Sequence, residues 1–219
     1  MTNRTTLRAA GINLFIGGVV ALVVNALHPR PPERTDELLA LVATMAHWSL
    51  IHYLAAFATP LIVAGLALLV TTFTDPVARA IGEVGKYVTA FGAATFVVAI
   101  VIDGYGYPRF ARVWMAATGD EKSTILWAAD AVHTVDAALF PVWAGLFLGL
   151  GLVLVAAALW RSGEWPRWFA AVGCLGGSMC FVYAMTVVFA ASVALPLWPL
   201  GPAINGVWLT TLGAMLLRR

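Results

Sequence analysis

The heptapeptide DAVHTVD at residues 130–136 brings two carboxylates and an imidazole into seven positions. Asp130, His133 and Asp136 are spaced i, i+3 and i+6, so a helix would carry all three on one face. Imidazole and carboxylate groups bind metals, hold cofactors and move protons. Asp136 lies about one turn beyond His133, and we expect its carboxylate to accept a hydrogen bond from the imidazole ring.

Further ionisable side chains lie close to the ends of long apolar segments. His52 lies near the start of the second apolar segment, and Asp103 ends the third. An ionisable side chain inside a membrane costs about 2.5–3.5 kcal/mol on insertion, so each of these two residues is a functional candidate. His28 and His47 lie where water and lipid headgroups can solvate them, and we expect these two histidines to be structural.

The composition is that of a membrane protein. The 219 residues are 61% hydrophobic and 11% charged, with a mean hydropathy of +0.88, which lies outside the range of soluble domains. A helix that crosses a bilayer needs about 20 apolar residues. The chain offers six such segments, which are residues 7–27, 47–72, 81–103, a long one within 124–160, 166–191 and 202–217. The sequence therefore predicts an all-α fold, a single transmembrane domain over residues 1–219 that forms a six-helix bundle.

Two connections between these segments have an amphipathic pattern. Residues 29–45 and residues 108–122 each contain apolar side chains at helical spacing. Those side chains are Leu38, Leu39, Leu41, Val42 and Met45 in the first connection, and Phe110, Val113, Trp114 and Ala117 in the second. We expect both connections to lie on the outer side of the membrane as lids or interfacial helices.

Basic residues divide unevenly between the two sides of this bundle. If the N-terminus is cytoplasmic, eight of the thirteen basic residues lie on the cytoplasmic side and five on the outer side. This excess favours a membrane protein with both termini in the cytoplasm. The four histidines, Asp103 and Asp136 then lie in or beside the outer half of the bilayer. The net charge of +2 is too small to indicate a nucleic-acid partner.

The residue types in the outer half fit four kinds of chemistry. Two histidines on facing helices, His52 and His133, can ligate haem b from both sides. The same histidines with carboxylates can hold zinc, copper or non-haem iron. A His and Asp set can also move protons to or from a quinone, or protonate an olefin in a terpene-type cyclisation. His52 and His133 are thus the candidate cofactor or metal ligands, and Asp103 and Asp136 the candidate catalytic or orienting carboxylates.

These candidates lead to three hypotheses for function. The first is an integral membrane protein that holds a lipid-soluble substrate or cofactor of the haem or quinone type at the His and Asp cluster. The second is a non-catalytic accessory subunit of a larger electron-transfer or pigment complex, with lipids and other membrane subunits as partners. The third is a membrane cyclase or isomerase that uses an aspartic acid. Whether the protein is an enzyme stays open at this point.

A short pattern resembles a known group of proteins. Trp48 and His52 form a W-x3-H pattern that opens the second segment after a proline-rich connection, and Asp103 and Gly104 close the third. This arrangement resembles a group of small multi-pass bacterial integral membrane proteins. The resemblance implies a multi-pass protein of the bacterial cytoplasmic (inner) membrane over nearly the whole chain and draws attention to His52 and Asp103. It implies no particular activity.

The uneven distribution of basic residues gives a testable topology. A reporter enzyme that works only outside the cytoplasm should be inactive when fused after Arg219, because the C-terminus is predicted to be cytoplasmic. The same reporter inserted within residues 29–45 should be active. An active C-terminal fusion would contradict this topology and would place the histidines on the cytoplasmic side.

Overall fold

The computed structural model describes residues 3–189 and 197–219, which form helices and no strand. Nine α-helices follow one another along these residues: α1 (Asn3–Leu27), α2 (Thr35–Thr44), α3 (Trp48–Val70), α4 (Pro76–Val101), α5 (Tyr107–Ala116), α6 (Gly119–Trp143), α7 (Gly151–Ser162), α8 (Arg167–Phe189) and α9 (Leu197–Leu217). Two π-helical stretches, Ile102–Gly106 and Ala144–Leu150, join α4 to α5 and α6 to α7. The predicted all-α fold class is confirmed.

Six helices within the described residues are long and apolar enough to cross a membrane. They are Arg4–Leu27, Trp48–Val70, Pro76–Ala116, Gly119–Ser162, Arg167–Phe189 and Leu200–Leu217. The chain is therefore a multi-pass helical bundle, as its composition predicted. Residues 190 and 191, which were predicted to end the fifth segment, lie outside the described residues.

The third and fourth spans are longer than the sequence predicted. The third runs over 41 residues from Pro76 to Ala116, because the π-helical stretch carries the helix through Gly104 and Gly106. The sequence predicted that Asp103 and Gly104 end this span. Much of the second predicted connection, residues 108–122, is consequently a continuation of the third span and not a separate element.

Both π-helical stretches have a backbone carbonyl that accepts a hydrogen bond from a side chain on another span. The Trp48 indole Nε1 donates to the Asp103 carbonyl over 2.7 Å. The Asn205 amide Nδ2 donates to the Leu148 carbonyl over 2.8 Å. A π-helical turn disrupts the regular i to i+4 pairing, and a buried carbonyl without a partner is costly. The two side chains thus stabilise the two irregular turns and join spans.

The larger apolar core lies among α1, α3, α7, α8 and α9. Its fully buried members include Leu14, Leu66, Leu152, Leu159, Phe169, Trp208 and Leu212. Glycines allow close helix approach around it, most clearly at Gly92, where a Cβ atom would collide with the backbone nitrogen of Phe147. Close packing of this kind positions α4 against the second π-helical stretch.

A second apolar cluster covers one end of the bundle. Both predicted amphipathic connections contribute to it, since α2 packs against α5 and α6. The buried side chains are Leu38, Leu39, Val42, Trp48, Tyr107, Ala111 and Ala129. The Thr35 hydroxyl also donates to the Asp130 carboxylate over 2.6 Å, which joins α2 to α6. We call α2, α5 and the first turns of α6 the cap, and it lies over the ends of the spans that carry the histidines.

The contact at Gly92 predicts a large effect of a single methyl group. Gly92→Ala should lower the stability of the protein by about 1–3 kcal/mol, because the new Cβ would press on the backbone of Phe147. Gly145→Ala is the matched control, since its Cβ would meet only side-chain atoms at ordinary contact distances, the nearest being the Ala184 Cβ at 3.4 Å. Thermal unfolding in detergent should show a lowered midpoint for the first variant alone. Equal midpoints would contradict the close approach of α4.

Candidate functional site

Six polar side chains gather beneath the cap, and we call them the polar cluster. They come from the end of α1, the start of α3, the first π-helical stretch, the start of α5 and the middle of α6. The members are His28, His52, Asp103, Tyr107, His133 and Asp136. They form two subgroups, a histidine pair beside Asp103 and a set organised by Tyr107.

The histidine pair consists of His28 and His52. Their Nε2 atoms lie 3.2 Å apart, and their ring centroids lie 5.0 Å apart with an interplanar angle of 67°. Each Nδ1 contacts a backbone carbonyl at 2.7 Å, that of Pro29 for His28 and that of Trp48 for His52. A carbonyl oxygen only accepts hydrogen bonds, so both Nδ1 atoms carry the proton. Both rings are thereby held in orientation, and His52 is 1% exposed.

Burial affects the charge state of His28. His28 follows the first span and is half-buried beside the Trp48 ring. Loss of solvation on burial lowers the pKa of His28 below its ordinary value, although the hydrogen bond to the Pro29 carbonyl opposes this effect. The neutral imidazole is therefore favoured at this position.

Asp103 lies beside the histidine pair because of the π-helical stretch. Its carboxylate Oδ2 is 3.8 Å from His52 Nε2, and its side chain is 26% exposed. The Trp48 indole fixes the Asp103 backbone, as described above. A Cβ on Gly104 would lie 2.8 Å from the Cβ of His52, so a residue without a side chain is needed for this approach of α3. π-helical turns are frequent at functional sites.

Tyr107 organises the second subgroup. Its side chain is fully buried, and its hydroxyl lies 3.1 Å from His133 Nδ1 and 3.5 Å from Asp136 Oδ2. A phenol has one proton to donate, and the carboxylate is the better acceptor. His133 Nδ1–H then donates to the hydroxyl oxygen while the hydroxyl donates to Asp136. These three side chains form a chain of hydrogen bonds between α5 and α6.

The structure distributes the predicted site residues between the two subgroups. His52 lies with Asp103, and His133 lies with Asp136, but the two histidines have different partners. Tyr107 lies between His133 and Asp136, where the sequence predicted a direct hydrogen bond. Asp130 accepts from Thr35 at the cap surface and is not part of the polar cluster.

Two members of the polar cluster were missed by the sequence analysis. His28 was expected to be structural because water and lipid headgroups can solvate the end of the first span. Tyr107 lay beyond the predicted end of the third span at Asp103. Its spacing of four residues from Asp103 would have placed both on one helical face if the third span had been predicted to continue.

No known family model matches the chain, and no curated protein or solved structure does either. The chemistry of the polar cluster is therefore inferred from its geometry. Within the described residues, no group of three or more His, Cys, Asp or Glu side chains is arranged to hold a metal ion. The cluster does combine imidazole, phenol and carboxyl groups at hydrogen-bond distance, which suits proton transfer and recognition of ligand oxygens.

The bridging position of Tyr107 gives a prediction for a double-mutant cycle. His133→Ala and Asp136→Asn should be coupled by about 0.5–1.5 kcal/mol in stability, because both disrupt one hydrogen-bonded chain. In a Tyr107→Phe background this coupling should vanish. Thermal unfolding of the single and combined variants in detergent measures it, with Asp130→Asn as a control that adds independently to either change. Coupling that persists without the phenol would show a direct contact between His133 and Asp136.

Proposed function

We propose that the polar cluster binds a lipid-soluble molecule of the quinone type and exchanges protons with it inside the membrane. One observation carries this proposal: six ionisable side chains converge beneath the cap of a predominantly apolar helical bundle. Burying such groups in a membrane is costly, so their concentration at one place favours a function over chance.

The arrangement of donors and acceptors suits a ligand with carbonyl oxygens. The hydrogen-bonded chain through Tyr107 can pass a proton between His133 and Asp136 by rotation of one hydroxyl. The Asp103 carboxyl is only partly buried, with 26% of its side chain exposed. A ligand arriving from the lipid can therefore reach this ionisable group.

The geometry favours a quinone over haem b as the ligand. Two histidines that ligate one haem iron lie on opposite sides of the macrocycle, with nitrogens about 4 Å apart. Both ring nitrogens of His52 are already directed at protein atoms, namely the Trp48 carbonyl and the His28 ring. His133 directs its Nδ1 at Tyr107. A haem bound by His52 would require the His52 ring to leave either the Trp48 carbonyl or the His28 ring.

An accessory role in a larger membrane complex is the second candidate. The observation that favours it is α6, in which Ala129 and Trp143 are the buried residues of a 25-residue helix. Trp127 on this helix is 79% exposed. In a membrane this surface would contact either lipid or another subunit. Stable co-purification of one further membrane protein, lost when Trp127 is changed to Ala, would support the accessory role.

Quinone binding is testable with a short-tailed benzoquinone such as decylubiquinone. Calorimetric titration of the detergent-purified protein should show one quinone-binding site. The variants Asp103→Asn, Asp136→Asn and Tyr107→Phe should each weaken quinone binding by about tenfold or more, because each loses one hydrogen bond to a charged or buried partner. Asp130→Asn should bind as the unchanged protein does, because Asp130 contacts Thr35 at the cap surface.

Two outcomes would contradict the quinone proposal. One is the absence of saturable binding by the unchanged protein. The other is binding that all four variants retain, which would place the quinone elsewhere. The absorption spectrum of the purified protein is an additional check, since a Soret band would identify haem as the cofactor.

A further inference from the structure

The neutral histidine pair places two hydrogen-bond acceptors in close contact. Both Nδ1 atoms donate to backbone carbonyls, so in the neutral state both Nε2 atoms carry lone pairs. Those lone pairs face each other across 3.2 Å. Two acceptors at this distance repel unless a positive species lies between them. That species is either a proton shared by the two rings or a metal ion bound to both.

The relative position of the rings distinguishes these two cases. A proton shared along a straight line would place the ring centroids about 5.4 Å apart for this nitrogen separation, since each centroid lies about 1.1 Å behind its nitrogen. Nitrogens that converge on one ion at about 2.0–2.1 Å lie about 2.9–3.4 Å apart, with centroids about 4.5–5.3 Å apart. The observed values of 3.2 Å and 5.0 Å fit convergence on a common point.

The contacts behind the rings are also those of metal ligands. Metal-binding histidines almost always donate their second nitrogen to a carbonyl or carboxylate, which fixes the ring orientation and makes the free nitrogen a better ligand. His28 does so to the Pro29 carbonyl, and His52 does so to the Trp48 carbonyl. His52 is held further by the Trp48 ring, whose centroid lies 4.7 Å from that of His52.

We propose that His28 and His52 bind one divalent transition-metal ion through their Nε2 atoms. Imidazole nitrogens suit zinc, copper and ferrous iron. The Asp103 oxygen lies 3.8 Å from His52 Nε2, farther than two neighbouring ligands of one ion. Asp103 therefore accepts a hydrogen bond from a water molecule on the ion. His28 and His52 are therefore the two protein ligands of the ion.

This metal site differs from the site predicted from the sequence and goes beyond the proposed function. It replaces His133 by His28 as the partner of His52. It leaves Tyr107, His133 and Asp136 as a separate proton-exchanging set. Metal binding can be measured without any quinone, so the two proposals succeed or fail independently.

The test is metal titration of the full-length, tag-free protein, purified in detergent and treated with a chelator. Zn²⁺ should bind with one equivalent in calorimetry, and Co²⁺ should give visible absorption bands typical of nitrogen ligands. His28→Gln and His52→Gln should each weaken Zn²⁺ binding at least 100-fold, because each removes one of two protein ligands. Asp103→Asn should weaken it about tenfold, as expected for loss of a group that orients a ligand.

Two other histidines serve as matched controls. His47→Gln changes an exposed histidine beside Trp48, and His133→Gln changes the histidine that the sequence paired with His52. Both variants should bind Zn²⁺ as the unchanged protein does. Zn²⁺ should also raise the thermal midpoint of the unchanged protein and of both controls, but not that of His28→Gln. Because His28 is half-buried, the His28→Gln variant decides the test if the His52 variant fails to fold.

Three results would overturn the metal proposal. The first is the absence of stoichiometric Zn²⁺ and Co²⁺ binding by the unchanged protein, which would leave a shared proton between the rings. The second is unchanged affinity in His28→Gln. The third is an equal loss of affinity in a control variant, which would show that Zn²⁺ binds to other histidines.

Discussion

The hydrogen bond from the Trp48 indole to the Asp103 carbonyl is the contact on which the polar cluster depends. It joins the first turn of α3 to the π-helical stretch that continues the third span. The π-helical geometry disrupts regular backbone pairing, and the indole satisfies the carbonyl at Asp103. The same contact brings His52, one turn beyond Trp48, to the side chain of Asp103.

The cap makes this arrangement compatible with an apolar surrounding. Leu38, Leu39 and Val42 of α2 pack over Trp48 and Tyr107, so the two aromatic residues that organise the two subgroups belong to one buried cluster. Each aromatic side chain has an apolar body that packs in the cap and a polar atom that bonds within the polar cluster. Stability of the cap and geometry of the site are therefore coupled.

The two subgroups of the polar cluster have complementary chemistry. The histidine pair offers two oriented nitrogen lone pairs that suit a positive ion, and the set around Tyr107 offers a chain of exchangeable protons. Asp103 lies on the same side of the third span as Tyr107, one helical turn away. A ligand that reached Asp103 would therefore have the histidine pair on one side and the set around Tyr107 on the other.

The sequence by itself determined the helical class and the six spans, since about 20 apolar residues in succession must form a helix to satisfy their backbone in lipid. It also identified His52, Asp103, His133 and Asp136, because ionisable residues are rare and costly in such segments. Only the tertiary structure decided how these residues pair. Asp103 and Gly104 were predicted to close the third span, but packing against Trp48 and α2 keeps the helix continuous through a π-helical stretch. Tyr107 thereby becomes part of the polar cluster. His28 contacts His52 across 24 residues of sequence, and the sequence did not predict this pair because contacts between spans depend on helix positions that local spacing does not encode.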